Sequence, residues 1–279
     1  MVSTFSLNIC VIAAILSAAI SARSPDFASH LSTPSVFIMQ PNVTSLFVSS
    51  SPDCADSGAC TAAASPCCSL KYAVESVASF MVPVTEPVPI MMGTGVYGVA
   101  SCGVNTVRPL AVQGVGSVTI DCGGSGRVLF SSTSLFMSNL TLTGGYVSDG
   151  SDGGAVSIVS SGTSPSFVFV GVVFVNNSVL NGNGGGLSIS VSHASQLSGV
   201  NVTFESVAFK RNAIACIGAG CGSSDDDGFV VANGGGTSIV MQAPIVTDTS
   251  IIINNCQLFS NAAVAPAGLM MVFVRLLVS

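Results

Sequence analysis

The segment Val172-Val-Phe-Val-Asn-Asn177, followed by Gly185-Gly-Leu-Ser-Ile189, recurs along the second half of this chain. Copies of its first part end in Asn or Gly at positions 145, 177, 212 and 261, so the spacing between successive copies grows toward the C-terminus. Self-similarity of this kind predicts a solenoid, in which each turn of the chain packs on its neighbours. The other copies are Leu140-Thr-Leu-Thr-Gly-Gly145, Val207-Ala-Phe-Lys-Arg-Asn212, Cys256-Gln-Leu-Phe-Ser-Asn261, Gly153-Gly-Ala-Val-Ser-Ile158 and Gly235-Gly-Thr-Ser-Ile239.

The residue types within the repeat predict parallel β-strands joined by sharp corners. Val, Ile, Phe and Thr fill the runs, and Ser or Thr alternates with Ile or Val, which is a period of two. Gly and Asn supply corners of positive φ, and Asn side chains stacked from turn to turn would satisfy one another's amides. Val118–Asp121 and Leu140–Leu142 continue the pattern upstream. We expect an all-β chain that forms a right-handed parallel β-helix solenoid with a short helical, Cys-rich N-terminal cap.

The N-terminal part of the chain differs from the repeats. Phe5–Ile20 is apolar, short and followed by small residues, which is typical of a secretory signal peptide, with an anchor helix as the alternative. Leu70–Phe80 has an amphipathic helical pattern, with Ser69 as its expected N-cap. The predicted divisions are a signal peptide (1–22), an extended leader (23–50), a Cys-rich cap with one helix (51–80) and β-helix repeats (81–279).

The cysteines favour disulfides over a metal site. The chain has ten cysteines and two histidines, and no Cys-x-x-Cys pair that zinc would require is present. Loss of Cys10 with the signal peptide would leave nine, an odd number. We expect disulfides among Cys54, Cys60, Cys67 and Cys68 to cross-link the cap. Cys102 is expected to bridge to Cys122 between adjacent coils, and Cys216 to pair with Cys221. Cys256 would then be the cysteine without a disulfide partner.

The C-terminal segment continues the repeat. Leu269–Leu277 is hydrophobic but contains Arg275, and Gly268 follows Asn261 close to where the next glycine motif is due. The sequence therefore predicts that the chain stops inside a repeat. Either the chain is a fragment of a longer protein, or another chain covers this end of the coil. An uncapped coil exposes strand edges, so end-to-end association is one expectation.

The composition excludes some partners. The chain carries seven Lys and Arg against thirteen Asp and Glu, a formal net charge of −6, whereas nucleic-acid binding requires a basic stripe. No stretch after residue 30 approaches the roughly 18 continuous apolar residues of a membrane helix. We therefore expect no nucleic acid as a partner and no transmembrane segment in the mature chain.

The repeat motifs resemble those of polymorphic outer membrane proteins, whose hallmarks are Gly-Gly-Ala followed by Ile, Leu or Val, and Phe-x-x-Asn. The resemblance implies a parallel β-helix at the cell surface with an adhesive role. The lead-in Pro66-Cys-Cys-Ser-Leu-Lys-Tyr-Ala73 is similar to the start of pectin-lyase-like β-helices, many of which cleave polysaccharides. The matching motifs are Gly153-Gly-Ala-Val156, Phe174-Val-Asn-Asn177 and Phe209-Lys-Arg-Asn212, with relaxed copies at Gly185-Gly-Leu, Gly235-Gly-Thr and Leu258-Phe-Ser-Asn261.

The candidate chemistry is sparse. The insertion Ala213–Gly228 contains the run Asp225, Asp226 and Asp227, which is a weak calcium candidate but more typical of a solvated loop tip. An enzyme would place this run in a groove near other carboxylates or near Arg127. Gly182-Asn-Gly-Gly-Gly186 lacks the Lys and following helix of a phosphate loop, and we expect no cofactor.

Other polar residues are better explained as surface features. His30 and His193 are expected in exposed loops, and the basic pair Lys210-Arg211 is expected at a solvated strand end, although it could bind an acidic glycan. Glycosylation sequons begin at Asn42, Asn139, Asn176 and Asn201.

The sequence predicts a secreted or cell-surface β-helix protein with a structural, adhesive or glycan-contacting role and no evident catalytic centre. Its partner would be an extracellular polysaccharide or a cell-surface protein. The alternatives are a polysaccharide lyase or glycoside hydrolase, and a truncated product with no independent role.

Overall fold

The structure is a computed structural model, which describes residues 45–57, 60–78, 87–162, 164–194, 196–215, 229–232, 235–243 and 245–264. Within these residues nearly all of the regular secondary structure is β-strand. The strands are β1 (Leu46–Val48), β2 (Val88–Met92), β3 (Gly95–Tyr97), β4 (Val104–Thr106), β5 (Leu110–Gly114), β6 (Val118–Asp121), β7 (Leu129–Ser131), β8 (Leu135–Ser138), β9 (Thr141–Thr143), β10 (Tyr146–Val147), β11 (Val156–Ser160), β12 (Ser166–Val170), β13 (Val173–Val175), β14 (Ser178–Leu180), β15 (Leu187–Ser192), β16 (Gln196–Ser198), β17 (Asn201–Glu205), β18 (Ala208–Lys210), β19 (Ala213–Ala215), β20 (Phe229–Ala232), β21 (Thr237–Gln242), β22 (Ile245–Thr247), β23 (Ser250–Asn254), β24 (Gln257–Phe259) and β25 (Ala262–Val264).

In the part of the chain that the structure describes, the helical residues lie in the predicted cap, apart from one 3-10 turn. Helix α1 (Leu70–Tyr72) follows Ser69, whose Oγ accepts the Tyr72 N–H at 3.2 Å, and the helix continues as a π-helical segment at Ala73–Ala78. A single 3-10 turn covers Val99–Ser101. The predicted helix and its N-cap are confirmed as far as residue 78, and residues 79 and 80 lie outside the described residues.

The strands stack into the sheets of a parallel β-helix, and the predicted fold is confirmed. Every ladder between described strands is parallel except that of β20 with β21. Right-handed coiling is the sense that connections between parallel strands take. The orders are β1-β2-β5-β8-β12-β17-β23 in sheet 1, β3-β6-β9-β13-β18-β24 in sheet 2, β10-β14-β19-β25 in sheet 3 and β4-β7-β11-β15-β21-β20 in sheet 4, with β16 paired to β22.

The strand registers confirm the repeat steps. Phe167 lies opposite Leu135 of the preceding coil and opposite Val202 of the following one. Val202 in turn lies opposite Ile251, so the three pairs reproduce the three unequal steps of the sequence motif. Sheet 1 also begins earlier than the predicted division at residue 81, because β1 lies in the segment interpreted as an extended leader and pairs with β2.

Apolar columns run along the inside of the coils. Phe169 stacks on Phe204 with ring centroids 5.5 Å apart, and Phe174 stacks on Phe209 at 4.9 Å. All four side chains are at most 3% exposed, and burial of each contributes about 1.5 to 3 kcal/mol. Cys256 occupies the inward position held by Leu140, Val172 and Val207 in earlier coils, and its buried thiol donates to the Asn254 carbonyl at 3.3 Å.

An asparagine ladder runs along the corner between sheets 2 and 3. The ladder consists of Gly145, Asn177, Asn212 and Asn261. Asn212 Oδ1 accepts from the N–H and the Nδ2 of Asn177, both at 3.0 Å. Asn212 Nδ2 donates to the Phe174 carbonyl at 2.9 Å and to Asn261 Oδ1 at 3.1 Å. The predicted stacking of amides is therefore confirmed, and it satisfies the polar groups of a corner at which Asn177 and Asn212 are fully buried.

The glycine motif follows this corner and packs against sheet 3. The strand registers place Gly154, Gly185 and Gly235 in one column. In the first copy of the motif, the glycine in this column is therefore Gly154, one position after the first glycine of the copy, Gly153. A Cβ on Gly185 would collide with the Ala213 and Gly235 carbonyl oxygens. Only glycine permits this approach of backbone to backbone.

Three disulfides brace the N-terminal part of the described chain. Cys54 pairs with Cys68 and Cys60 with Cys67, both within the cap. Cys102 bridges to Cys122 in the next coil, with the Cα atoms 5.8 Å apart. These pairings agree with the predicted groups, whereas Cys216 and Cys221 lie outside the described residues.

Replacement of Asn212 by Ala should destabilise the protein by about 3 kcal/mol or more, because it leaves the buried N–H of Asn177 and the carbonyl of Phe174 without the side chain to which they bond. Urea unfolding followed by circular dichroism measures the change. Asn254→Ala removes an exposed amide and should cost no more than about 0.5 kcal/mol. Equal midpoints for the two variants would contradict the role assigned to the ladder.

The glycine column gives an independent prediction. Gly185→Ala should lower the free energy of unfolding by about 2 to 3 kcal/mol, since its methyl group overpacks the backbone of two neighbouring coils. Gly98→Ala is the matched control, because a Cβ at Gly98 meets no atom within 4 Å. Thermal unfolding of both variants tests this, and a Gly185→Ala protein as stable as Gly98→Ala would show that the coils are spaced differently.

Candidate functional site

A cleft of about 550 Å³ opens where the outward face of sheet 4 meets the turn before β11. Phe130 on β7 and Asn105 on β4 point outward there and lie opposite each other in the register. Tyr146 on β10 is added by the next coil, and its N–H donates to the Gly126 carbonyl at 2.9 Å. We call this site the Arg127 cleft, and its lining includes Asn105, Arg127, Phe130, Tyr146, Asp149 and Ser151.

The cleft arises from a change in turn length between coils. The turn from β3 to β4 (98–103) and the turn from β6 to β7 (122–128) are both short. The corresponding stretch between β9 and β11 (144–155) is longer and includes β10. This longer stretch supplies Tyr146, Asp149 and Ser151 to the lining and so forms one wall of the cleft beside the shorter turns.

Arg127 lies at the centre of the polar contacts. Its guanidinium donates a hydrogen bond to Ser151 Oγ and lies 6.0 Å from the centroid of the Phe130 ring, within reach of a cation–π interaction. Burial lowers the pKa of Arg127, and the charges of Asp149 and Asp152 act in the opposite direction. The guanidinium stays protonated, and it contacts one hydroxyl and one aromatic ring.

Ser151 links this guanidinium to a carboxylate. Its Oγ and its backbone N–H, the latter at 2.9 Å, both donate to Asp149 Oδ1. These hydrogen bonds lower the pKa of Asp149, with a smaller contribution from the Arg127 charge. The neighbouring Asp152 is tied to the following coil, where Asn183 donates to it from the backbone at 2.7 Å. The wall of the cleft therefore has a defined hydrogen-bonded conformation.

The calcium candidates cannot be placed in this site. Asp225, Asp226 and Asp227, like His30 and Asn42, lie outside the described residues. Among the residues that the structure describes, no group of three or more His, Cys, Asp or Glu side chains could hold a metal ion. The Arg127 cleft itself was not anticipated, because its wall comes from a later turn of the chain and no motif marks the residues of that turn.

Other predicted surface residues lie away from the cleft. His193 is half-buried, and its Nδ1 accepts the Gln196 N–H at 3.3 Å. Lys210 is half-buried on β18, and Arg211 is exposed at the following corner with a φ of 52°.

The three described sequons differ in their environment. Asn139 and Asn176 are exposed at corners with φ values of 54° and 55°. Asn201 instead accepts from Ser250 Oγ at 2.9 Å and donates to Ser166 Oγ at 3.4 Å, within a polar row on sheet 1. The two exposed sequons are therefore the better placed of the three to carry a glycan.

Removal of the Ser151 hydroxyl should raise the pKa of Asp149 toward its ordinary value of 3.8, because the largest stabilising hydrogen bond is lost. Since the folded pKa lies below the ordinary one, ionised Asp149 favours the folded state above a pH of about 4, and this contribution disappears as the pH falls through the folded pKa. Carboxyl-carbon NMR titration of Ser151→Ala measures the shift. Ser148→Ala is the control, and an unchanged pKa in Ser151→Ala would contradict the assigned hydrogen bond.

Comparison with known proteins gives no relative. No protein-family model, curated protein or solved structure matches this chain. In the described part of the chain, no helix is both long and apolar enough to span a membrane. The resemblance to polymorphic outer membrane protein repeats stays a prediction, and the fold and the Arg127 cleft are the observations from which function is argued.

Proposed function

We propose that this chain is a secreted or cell-surface β-helix protein that contacts glycans, with the Arg127 cleft as its principal contact site. The observation that carries this proposal is the mixed lining of the cleft. A guanidinium, a carboxylate, an amide and two aromatic rings line one concavity of about 550 Å³, and ligand pockets commonly have volumes of about 300 to 1,000 Å³. Such a lining offers hydrogen-bond donors and acceptors beside apolar ring surface, as a polyhydroxylated ligand requires.

The covalent structure supports location outside the reducing cytosol. The disulfides Cys54–Cys68, Cys60–Cys67 and Cys102–Cys122 are typical of oxidising compartments. The apolar segment Phe5–Ile20 supports the same location as a signal peptide. Secretion in a eukaryote would expose the sequons at Asn139 and Asn176 to glycosylation.

The role proposed for the cleft is contact, without bond cleavage. Arg127 and Asp149 are each bound to Ser151, an arrangement that fixes both charged groups for hydrogen bonding to a ligand. The Cys102–Cys122 disulfide joins the coils that supply Gly103 and Arg127, so it braces two of the coils that line the cleft. A preformed site of this kind loses little conformational entropy when it binds.

The full-length chain, secreted from a disulfide-forming host, should be retained on some immobilised polysaccharides of a panel that includes neutral and acidic chains. Arg127→Ala should reduce this retention by about tenfold or more, because it removes a charge-assisted donor from the site. Lys210→Ala is the matched control, since it removes a cation from sheet 2 outside the cleft. Circular dichroism confirms that each variant is folded.

Other outcomes would replace the proposal. Retention that is lost in Lys210→Ala and kept in Arg127→Ala would move the contact surface to sheet 2. Release of new reducing or unsaturated ends, with calcium and without it, is measured in the same samples. Calcium-dependent cleavage that disappears in Asp226→Ala would make the protein a polysaccharide-cleaving enzyme.

A further inference from the structure

The charges around the Arg127 cleft do not sum to a positive site. Two cations are present, because the Lys71 ammonium lies beside Gly103 and Arg127 is part of the lining. Three carboxylates oppose them. Asp149 and Asp152 act on Arg127, and Glu75 Oε1 accepts the Asn105 N–H at 3.1 Å. The carboxylates therefore outnumber the cations, so an anionic ligand would meet net repulsion at short range.

The polar groups of the cleft match hydroxyl groups. Asp149 Oδ1 accepts two hydrogen bonds from Ser151. The Asp149 side chain is exposed to solvent, so its second carboxylate oxygen can accept from a ligand. A carboxylate only accepts hydrogen bonds and a guanidinium only donates them. A sugar hydroxyl can donate to the Asp149 carboxylate while it accepts from the Arg127 guanidinium, whereas a carboxylate or sulfate group of a ligand can only accept.

The apolar part of the lining matches the face of a sugar ring. Tyr146 is 40% exposed, and Phe130 is half-buried beneath the Arg127 guanidinium. The C–H face of a pyranose ring is an apolar surface, and aromatic side chains contribute large contact area with little entropy to lose. Because the exposed ring of Tyr146 and the carboxylate of Asp149 line the same cleft, one ligand can contact both.

We infer that the Arg127 cleft binds a neutral sugar residue and discriminates against the corresponding uronate. This inference rests on the proposed glycan-contacting function and specifies its ligand class. Tyr146 supplies the contact to the ring face, Asp149 accepts from ligand hydroxyls, and Arg127 donates to them. A uronate replaces a hydroxymethyl group by a carboxylate, which loses a donor and adds a charge beside Asp149.

The test is a calorimetric titration of the full chain with matched oligosaccharides. Oligomers of glucose, mannose and galactose are compared with those of glucuronate, mannuronate and galacturonate. We expect at least one neutral oligomer to bind more tightly than its uronate counterpart, with an affinity that changes little with salt. Tyr146→Ala should weaken this binding by about tenfold, and Asp149→Asn by about three- to tenfold. Phe259→Ala, which removes an aromatic side chain that is 62% exposed elsewhere on the β-helix, should leave it unchanged.

The Asp149→Asn variant separates the two ligand classes. It weakens the binding of a neutral sugar because an acceptor is lost, and it strengthens the binding of a uronate because a repulsive charge is removed. Tighter binding of uronates, improved further in Asp149→Asn, would overturn this inference and leave the proposed function standing. Absence of binding to every oligomer and to the polysaccharide panel would overturn the proposed function as well. Neutral binding that is unaffected by Tyr146→Ala and Asp149→Asn would place the sugar outside the cleft and so overturn the inference.

Discussion

The hydrogen-bonded ladder of Gly145, Asn177, Asn212 and Asn261 is the interaction on which the rest of the β-helix depends. At this corner the chain turns inward between sheets 2 and 3, and the backbone N–H groups of Gly145, Asn177 and Asn212 bond to Asn side chains and not to the carbonyls of a neighbouring strand. An amide side chain suits this position because it donates and accepts at once. Each Oδ1 accepts from the coil before it, and Asn177, Asn212 and Asn261 return an Nδ2 hydrogen bond to the strands of that coil. Successive coils are thereby held at a fixed spacing.

That spacing explains the glycine motif downstream. Once the corner is fixed, the chain passes so close to sheet 3 that Gly154, Gly185 and Gly235 have no room for a Cβ. The ladder begins at Gly145, which has no amide of its own and donates its N–H to Asn177 Oδ1 at 2.9 Å. In the coils before it, the Cys102–Cys122 disulfide lies near the equivalent corner. A covalent bridge therefore braces the coils that the amide ladder does not reach, and these are the coils with short turns that leave the Arg127 cleft open.

The sequence predicted the features that depend on regular stacking. The unequal steps of the repeat appear directly in the strand registers, since a parallel β-helix places equivalent residues of successive coils side by side. In the first copy of the glycine motif, the alignment read from the sequence and the strand register differ by one position. Gly153-Gly154 and Gly184-Gly185-Gly186 have no side chains to distinguish one register from the next. The register is set instead by the buried column of Ile158, Ile189 and Ile239.

The position and lining of the Arg127 cleft could not be predicted from the sequence, and the reason is physical. Its residues are brought together by the stacking of coils that differ in length, since the step from Leu110 to Leu135 is shorter than the step from Leu135 to Phe167. A change in length at one turn leaves the neighbouring strands in register, because a solenoid coil contacts only the coils beside it. The wall that carries Tyr146 and Asp149 is thus free to vary without disturbing the ladder. Under the proposed function, ligand preference therefore depends on the length and charge of single turns, whereas stability depends on the columns of inward-facing side chains.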